Sequence, residues 1–424
     1  VVKSASPLTT LESIVGPAHV SEKAADYAVD GLVPSAVVRP ADENEVAAII
    51  RIANENRLAV IPWGGGTSMQ TGNIPSRYDV AVVLNRMAEV TAHEPADLTA
   101  TCQAGITVSG LEGVLGKAGQ IAPFDPYVGP AATIGGALAT DTAGASRHDF
   151  GRPRDFTIGL RAVTGDGLIV KAGGKVVKNV AGYDMCKLFV GSRGTLGVIV
   201  EATFKLMPKP EHHHRLCWLP SIDDACRLAS EIYRRGVSST LVVANPSAAR
   251  ATGHAGPGSA ALYTGISFPK GPALDRASAE YLSAIDGAGV EKPKAKHPEA
   301  LCTALVAMPE PLQMGVSLIP SAIPSFAAGV EKFAPGARLC AQPVTGEVKI
   351  GLPHLDEGLT PIPQIREIAT RIGGSLVVES CPPKRKREMD VFGESPLSFP
   401  LMRAVKQQFD PNNVLSPGRF VGRL

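Results

Sequence analysis

The sequence predicts an α+β fold with two or three separate cores. Three observations carry that reading. A strand–helix–strand stretch from Ala36 to Ile61 runs directly into three consecutive glycines, short β-type runs joined by glycine-rich connections fill residues 98–207, and an Ala- and Pro-rich amphipathic composition starts after residue 208 and lasts to about residue 340. With 44 glycines and 35 prolines in 424 residues, against a usual combined share of about 12%, the chain turns often and is no helical rod. A hydrophobic share of 44% and a charged share of 19% exclude intrinsic disorder of the chain as a whole.

Residues 1–30 read as an N-terminal segment. From Pro34 the chain gives a strand, Ala36–Val38, and then a helix whose Asp42 and Glu45 have capping-box spacing. Val46, Ile49, Ile50 and Ala53 fall on one face of that helix. A strand over Leu58–Ile61 and an apolar run over Val80–Leu84 follow. The block 98–207 contains a helix near Val108–Ala118 that Gly119 closes. Together these predict a two-subdomain domain over 31–208 and an inserted α/β cap domain over 209–370. The segment 371–424 returns to the first domain with a strand at Leu376–Val378, a basic loop Lys384-Arg385-Lys386-Arg387 and a helix near Leu401–Phe409.

Charge and cysteine usage exclude several classes. The balance of 42 Lys and Arg against 40 Asp and Glu leaves +2, so no nucleic acid or other polyanion is expected as a partner. No apolar run approaches the roughly 18 residues of a spanning helix, and Val1–Thr10 lacks the blocks of a signal peptide, so a soluble, cytoplasmic protein is expected. Seven scattered cysteines with no C-x-x-C give no disulfide framework, zinc knuckle or iron–sulfur cluster, and no metal is expected.

The glycines carry the functional signal. Pro62-Trp63 ends a strand and leads into Gly64-Gly65-Gly66-Thr67-Ser68. Such a loop brings backbone N–H groups and two hydroxyls close to a ligand and suits a phosphate or pyrophosphate; a plain glycine-rich turn is the alternative. It is neither a P-loop nor the G-x-G-x-x-G fingerprint. A second region holds Asp125-Pro126 and Ala132-Thr133-Ile134-Gly135-Gly136 and continues through Thr140, Gly144 and Arg147-His148 to Gly151; its small residues admit a close backbone or a flat ligand. A third joins Lys178–Asp184 to Gly191–Ile199.

In this order and spacing the three regions resemble the FAD-binding domain of the vanillyl-alcohol oxidase family, the PCMH-type flavoproteins, over residues 30–207 and 370–424. The resemblance implies that Pro62 to Ser68 and Gly72 wrap the FAD pyrophosphate. It implies that Thr133 to Gly136 border the flavin and ribityl chain; Ala132, Asp125, Pro126, Thr140, Gly144, Arg147 and Gly151 join the cofactor set, as does His148, for which a surface or core-satisfying role is the alternative. Gly197, Val198 and Ile199 would meet the adenosine end, and Arg419 joins the cofactor set. The Lys178–Asp184 stretch and the endings D-V-F-G, L-M-R and F-D-P-x-x-x-L-x-P-G-R narrow the likeness to FAD-binding subunits of bacterial glycolate oxidases. That likeness implies a homologous FAD-containing catalytic subunit and an iron–sulfur subunit as partners. It also implies glycolate or D-lactate as substrate of the whole assembly, and at most peripheral association with the inner membrane through the partners.

The departures are as informative. Catalytic members of this branch carry H-x-H-x-G-D-G-N and G-E-H-G segments. Here the second maps onto Gly374–Cys381, where Glu379 survives and Ser380 takes the histidine position; near the first stands Ala341–Glu347, without histidine. No catalytic base is assigned, and the alternatives are a self-sufficient dehydrogenase using His354 or Glu379 and a scaffold without cofactor. The first loop offers Trp63 and Met69 where covalent attachment needs His or Cys, so FAD is expected to be noncovalent. His212-His213-His214 reads as a solvated hinge or, less simply, a metal site whose alternating side chains oppose it. Lys384–Arg387 reads as a solvated loop or docking patch. A Val at position 65 is expected to abolish FAD retention by occupying the pyrophosphate path.

Overall fold

The computed structural model describes residues 7–123, 131–175, 183–251, 256, 258–286, 308, 310–353 and 361–424. Asp125, Pro126, Lys178 to Gly182 and His354 lie outside the described residues. The chain divides into two compact units, one of residues 1–142, 152–207 and 383–424, the other of residues 143–151 and 208–382.

In the first unit, strands Ala36–Val38, Val80–Val83 and Val60–Trp63 lie parallel in that spatial order, with the two-residue strand Val20–Ser21 antiparallel at one edge. Parallel strands are buried on both faces, and these are. Val38, Val60, Val80 and Val82 join the core under helix Glu43–Glu55, whereas Val37, Ile61, Ala81 and Val83 pack with Trp63 and Tyr78 in a second cluster. The helix starts where its sequence places it. Asp42 Oδ1 accepts from the N–H groups of Asn44 at 2.8 Å and Glu45 at 2.9 Å, and Glu45 reaches back to the N–H of Ala41. Such a cap is worth about 1 kcal/mol.

The same unit holds an antiparallel sheet in the order Val90–Glu94, Thr99–Gln103, Val198–Lys205, Thr157–Val163, Ile169–Gly173. Its inward residues, Cys102, Leu160, Ala162, Val198, Ala202 and Phe204 among them, are part of the main core. Helix Val108–Leu115 is capped by Thr107 and ends through a 3₁₀ turn, Gly116–Ala118, at Gly119 with φ 66°.

The second unit contains a seven-stranded antiparallel sheet in the order Glu211–Leu219, Ala260–Phe268, Thr240–Ala244, Arg338–Gln342, Glu347–Leu352, Leu312–Ser317, Ser375–Ser380. Helices Ile222–Arg234, Pro272–Asp286, Ile323–Phe333 and Ile362–Arg371 bury apolar faces in this unit. Two expectations are corrected here. The strand at Ser375–Ser380 pairs with Leu312–Ser317, so the chain rejoins the first unit at residue 383 and not at 371. His212 to His214 form no solvated hinge, because they lie in a nine-residue strand paired along its length with Ala260–Phe268. His212 and His214 stack on one face with ring centroids 5.7 Å apart, and His214 stacks on Tyr263 at 5.3 Å.

Candidate functional site

A cleft open to solvent lies in the first unit. Ligand sites of α/β sheets lie beyond the carboxyl ends of parallel strands. That is where this cleft starts: Ile61, Pro62, Trp63 and Leu84 line it, and Leu84 N–H donates to the Trp63 carbonyl. Gly64, Gly65, Gly66, Thr67 and Ser68 continue the wall, joined by Met69 and Thr71.

The opposite wall is built from Thr133, Gly135, Gly136, Ala139 and Thr140. Thr133 caps the helix Ile134–Thr140, its Oγ1 accepting from Gly136 N–H at 3.3 Å. This helix is clamped in place: Gly135 N–H donates to Ala104, Gly191 N–H to Leu138 and Arg193 N–H to Ala139. The two walls touch through glycine. A Cβ on Gly64 would overlap Thr133 Oγ1, and one on Gly65 would overlap the Ala131 carbonyl oxygen. Gly65 is therefore required for contact between the two wall segments, which corrects the expectation that its Cβ would block a ligand path.

The floor comes from distant parts of the chain. Gly197 and Ile199 line the cleft, together with Arg193, Gly194 and Arg419. Ser416 N–H donates to the Val60 carbonyl and Val60 N–H to Val414, so the C-terminal segment runs beside the strand that feeds the glycine loop. Lys406 and Asp410 anchor that segment. Buried Lys406 Nζ donates to Asp410, Thr195 O and Leu415 O, and the Asp410 carboxylate accepts from Val414 and Leu415 N–H. Arg419 is 5% exposed; its Nη2 donates to Met69 O at 2.9 Å and Thr71 O at 2.6 Å, whereas its buried Nη1 has no partner. Burial pushes the Arg419 pKa down to about 10.

The structure thus gathers Pro62 to Ser68, Thr133, Gly135, Gly136, Thr140, Gly197, Ile199 and Arg419 around one cleft. Ala132, Ile134 and Val198 are buried and do not line it, because neighbouring residues on a strand or cap face opposite ways. Gly72, with φ 91°, packs against the Arg419 carbonyl instead. Gly144, Arg147, His148 and Gly151 belong to the second unit and do not line the cleft. There Gly144 O accepts from Gln342 Nε2, Arg147 pairs with Glu347, and His148 Nε2 bonds Ser238. Sequence reasoning missed Ile61, Met69, Thr71, Leu84, Ala139, Arg193 and Gly194; for Arg193 the available signal was its position inside a glycine cluster.

Trp63 packs edge-on against Tyr27 at 5.1 Å and lies under Gly66. The basic run is corrected at one position: Lys386 is fully buried, its Nζ bonded to both Asp30 oxygens at 2.8 and 3.0 Å and to Gln70 O, whereas Lys384 and Arg387 are exposed. Among the described residues no group of three or more His, Cys, Asp or Glu side chains has the geometry to hold a metal ion.

A glycine cradle and a buried cation with an unpartnered nitrogen fit a ligand carrying a diphosphate, as FAD does. The fold and the cleft define an FAD-binding domain. Residues 34–173 match the model of an FAD binding domain and residues 363–420 that of the C-terminal domain of FAD linked oxidases. The chain thus carries an FAD binding domain and the C-terminal domain of FAD linked oxidases, and FAD is its cofactor.

It is similar to glycolate oxidase subunit GlcD of Bacillus subtilis, 36% identical over 201 residues that make up 47% of this chain and 43% of that protein. D-lactate dehydrogenase of Archaeoglobus fulgidus is 35% identical over 201 residues, 47% of this chain and 45% of that protein. D-2-hydroxyglutarate dehydrogenase of Xanthomonas citri pv. viticola is 35% identical over 191 residues, 45% of this chain and 40% of that protein. The matches thus span less than half the length of these relatives. Among solved structures, p-cresol methylhydroxylase with bound substrate superposes with a TM-score of 0.76 at 16% identity, covering 97% of this chain and 96% of that one. An alkyldihydroxyacetonephosphate synthase superposes at 0.72 and 18% identity, covering 97% and 85%.

Proposed function

We propose that this chain holds noncovalent FAD as a subunit of a glycolate or D-2-hydroxyacid dehydrogenase assembly, relaying electrons or supporting assembly. Its partners in this reading are a homologous FAD-containing catalytic subunit and an iron–sulfur subunit, and the assembly is cytoplasmic or peripheral to the inner membrane. Among the described residues no helix is long and apolar enough to cross a membrane. The observation that carries the proposal is the glycine-lined cleft with the unpartnered Nη1 of buried Arg419 at its floor. The relatives named as glycolate oxidase subunit, D-lactate dehydrogenase and D-2-hydroxyglutarate dehydrogenase support a 2-hydroxy acid as the substrate class.

FAD, when bound, supplies the two-electron redox chemistry. This chain's residues bind and orient it: the glycine loop and Thr133 set the wall spacing, and Arg419 supplies charge.

What supports a subunit role over independent catalysis is the state of the second unit's charged groups. A general base must be free to take a proton, and Glu379 is instead ion-paired with Lys349 over Gly315, whose missing Cβ leaves room for the pair. Arg147 is likewise matched by Glu347. The carboxylate that survives in Val378-Glu379-Ser380-Cys381 is thus already engaged.

Anaerobic addition of glycolate and D-lactate to the purified chain tests the proposal. Bound flavin that stays oxidised alone and is reduced on adding the copurified partner subunits is the expected result. Rapid bleaching by the chain alone overturns the subunit role in favour of a self-sufficient dehydrogenase. A colourless chain that takes up no FAD shows a scaffold.

A further inference from the structure

The segment that follows the glycine loop, Met69 to Gly72, is gripped by three cations from distant parts of the chain. Arg419 donates to Met69 O and Thr71 O, Arg193 donates to Thr71 Oγ1, and Lys386 donates to Gln70 O. Arg193 and Arg419 both line the cleft, and Lys386 does not.

The charges are not balanced in the usual way. Arg419 is buried and makes no ion pair among the described residues. The acidic groups that act on it are Asp30 and the Tyr78 hydroxyl, while Arg193 opposes its charge. Asp30, the one carboxylate of that set, is already bound through both oxygens to Lys386. A buried guanidinium normally finds a carboxylate or phosphate, and its planar fork suits either. Here the carboxylate that acts on Arg419 is occupied by another cation, and Nη1 has no partner among the described residues. Arg193 adds a second sign of purpose. It has φ 54°, a conformation disfavoured for a side chain of this size, and its guanidinium lies over the Phe392 ring at 5.4 Å.

We propose that Arg419 and Arg193 are the counter-charge of a diphosphate, and that Lys386 is a positioning residue that keeps Arg419 available by occupying Asp30. The inference rests on the FAD reading and deepens it, because the chain then selects a dinucleotide over a mononucleotide or free flavin by charge. When Lys386 is removed, Asp30 turns its charge to Arg419 and competes with the ligand.

The test is equilibrium binding to the full-length apoprotein, with FAD, ADP, inorganic pyrophosphate and riboflavin as probes at low and high potassium chloride. ADP and pyrophosphate should displace FAD, riboflavin should not, and FAD affinity should weaken with salt. Arg419→Met and Arg193→Met should each weaken FAD and ADP binding by about 10- to 100-fold, the worth of a charge-assisted hydrogen bond. Lys386→Met should weaken both as well, and Asp30→Asn in the same chain should restore them; with the folded fraction followed by Trp63 fluorescence, weakened binding by fully folded Lys386→Met chain is what a purely structural role of Lys386 does not produce. Undiminished FAD affinity in both arginine variants, or salt-independent FAD binding by the wild-type chain, overturns the proposal. A wild-type chain that binds pyrophosphate but not FAD keeps the cationic seat and removes the FAD reading instead.

Discussion

Lys386→Met examines the buried pair at the base of the site. In the folded chain the Lys386 side chain is 0% exposed and that of Asp30 is 4% exposed. Removing the lysine leaves a desolvated carboxylate without its cation and takes a donor from Gln70 O, and breaking a buried pair from one side costs about 3–5 kcal/mol. Asp30→Asn leaves the lysine stranded and should cost a similar amount. Its backbone should be unaffected, since Asp30 has φ 50° and asparagine tolerates that conformation. It also sits with Gly31, φ 88°, in a tight Asp-Gly turn closed by paired Val29 and Leu32 bonds. The double variant removes both charges, so its cost should not exceed that of either single change. The chain offers a clean reporter because its two tryptophans divide between the units: Trp63 lies in the first and Trp218 in the second. In a Trp218→Phe background, Trp63 fluorescence through a urea titration reads the first unit alone. A Lys386→Met cost below about 1 kcal/mol, or a double variant whose cost equals the sum of the singles, would refute the reasoning.

Three further outcomes follow from the packing. Gly65→Ala should suffice to lower flavin content, read as the ratio of flavin to protein absorbance, and to lower the melting temperature, because even one Cβ meets the Ala131 carbonyl; normal flavin content in that variant would falsify the wall-contact assignment. Burial, with His212 and His213 beside it, pushes the His214 pKa down to about 4, so the unfolded chain holds the proton more tightly. Stability from this site is then complete above about pH 6.5 and is lost as pH falls towards 4, by up to about 3 kcal/mol. His214→Phe should flatten the slope in that window, measured through Trp218, while His148, shifted in the same direction by burial, retains part of it. Cys102, Cys186 and Cys226 are buried with thiols pushed up to about 12, 11 and 12, so iodoacetamide at neutral pH should leave them unmodified in the folded chain. Mass spectrometry that finds them alkylated as fast as in urea contradicts that burial.

The close approach of the two wall segments was legible in the glycine clusters. Gly64 to Gly66, Gly135 and Gly136 carry no side chains, so their spacing pointed to close backbone approach, and the structure shows it where Gly65 meets the Ala131 carbonyl. The helix Glu43–Glu55 was equally plain, since Asp42, Glu45 and the buried stripe agree on one start and one face. Arg193 escaped notice because an arginine in a glycine-rich turn looks like a surface residue until the fold brings Thr71 and Phe392 beneath it. Arg147 and His148 were misleading for the opposite reason: they follow the second glycine region in sequence but pack with Glu347 and Ser238 of the other unit.

The sequence alone determined the class of fold and the placement of the glycine clusters, because each depends on residue type and local spacing. Tertiary structure alone decided where charge resides. Four consecutive basic residues, 384–387, read as a solvated run, yet one of them crosses the chain to Asp30 and becomes the most buried lysine of the fold. Whether a cation faces water, a carboxylate or a cofactor depends on residues more than 300 positions away, and no local pattern carries that information.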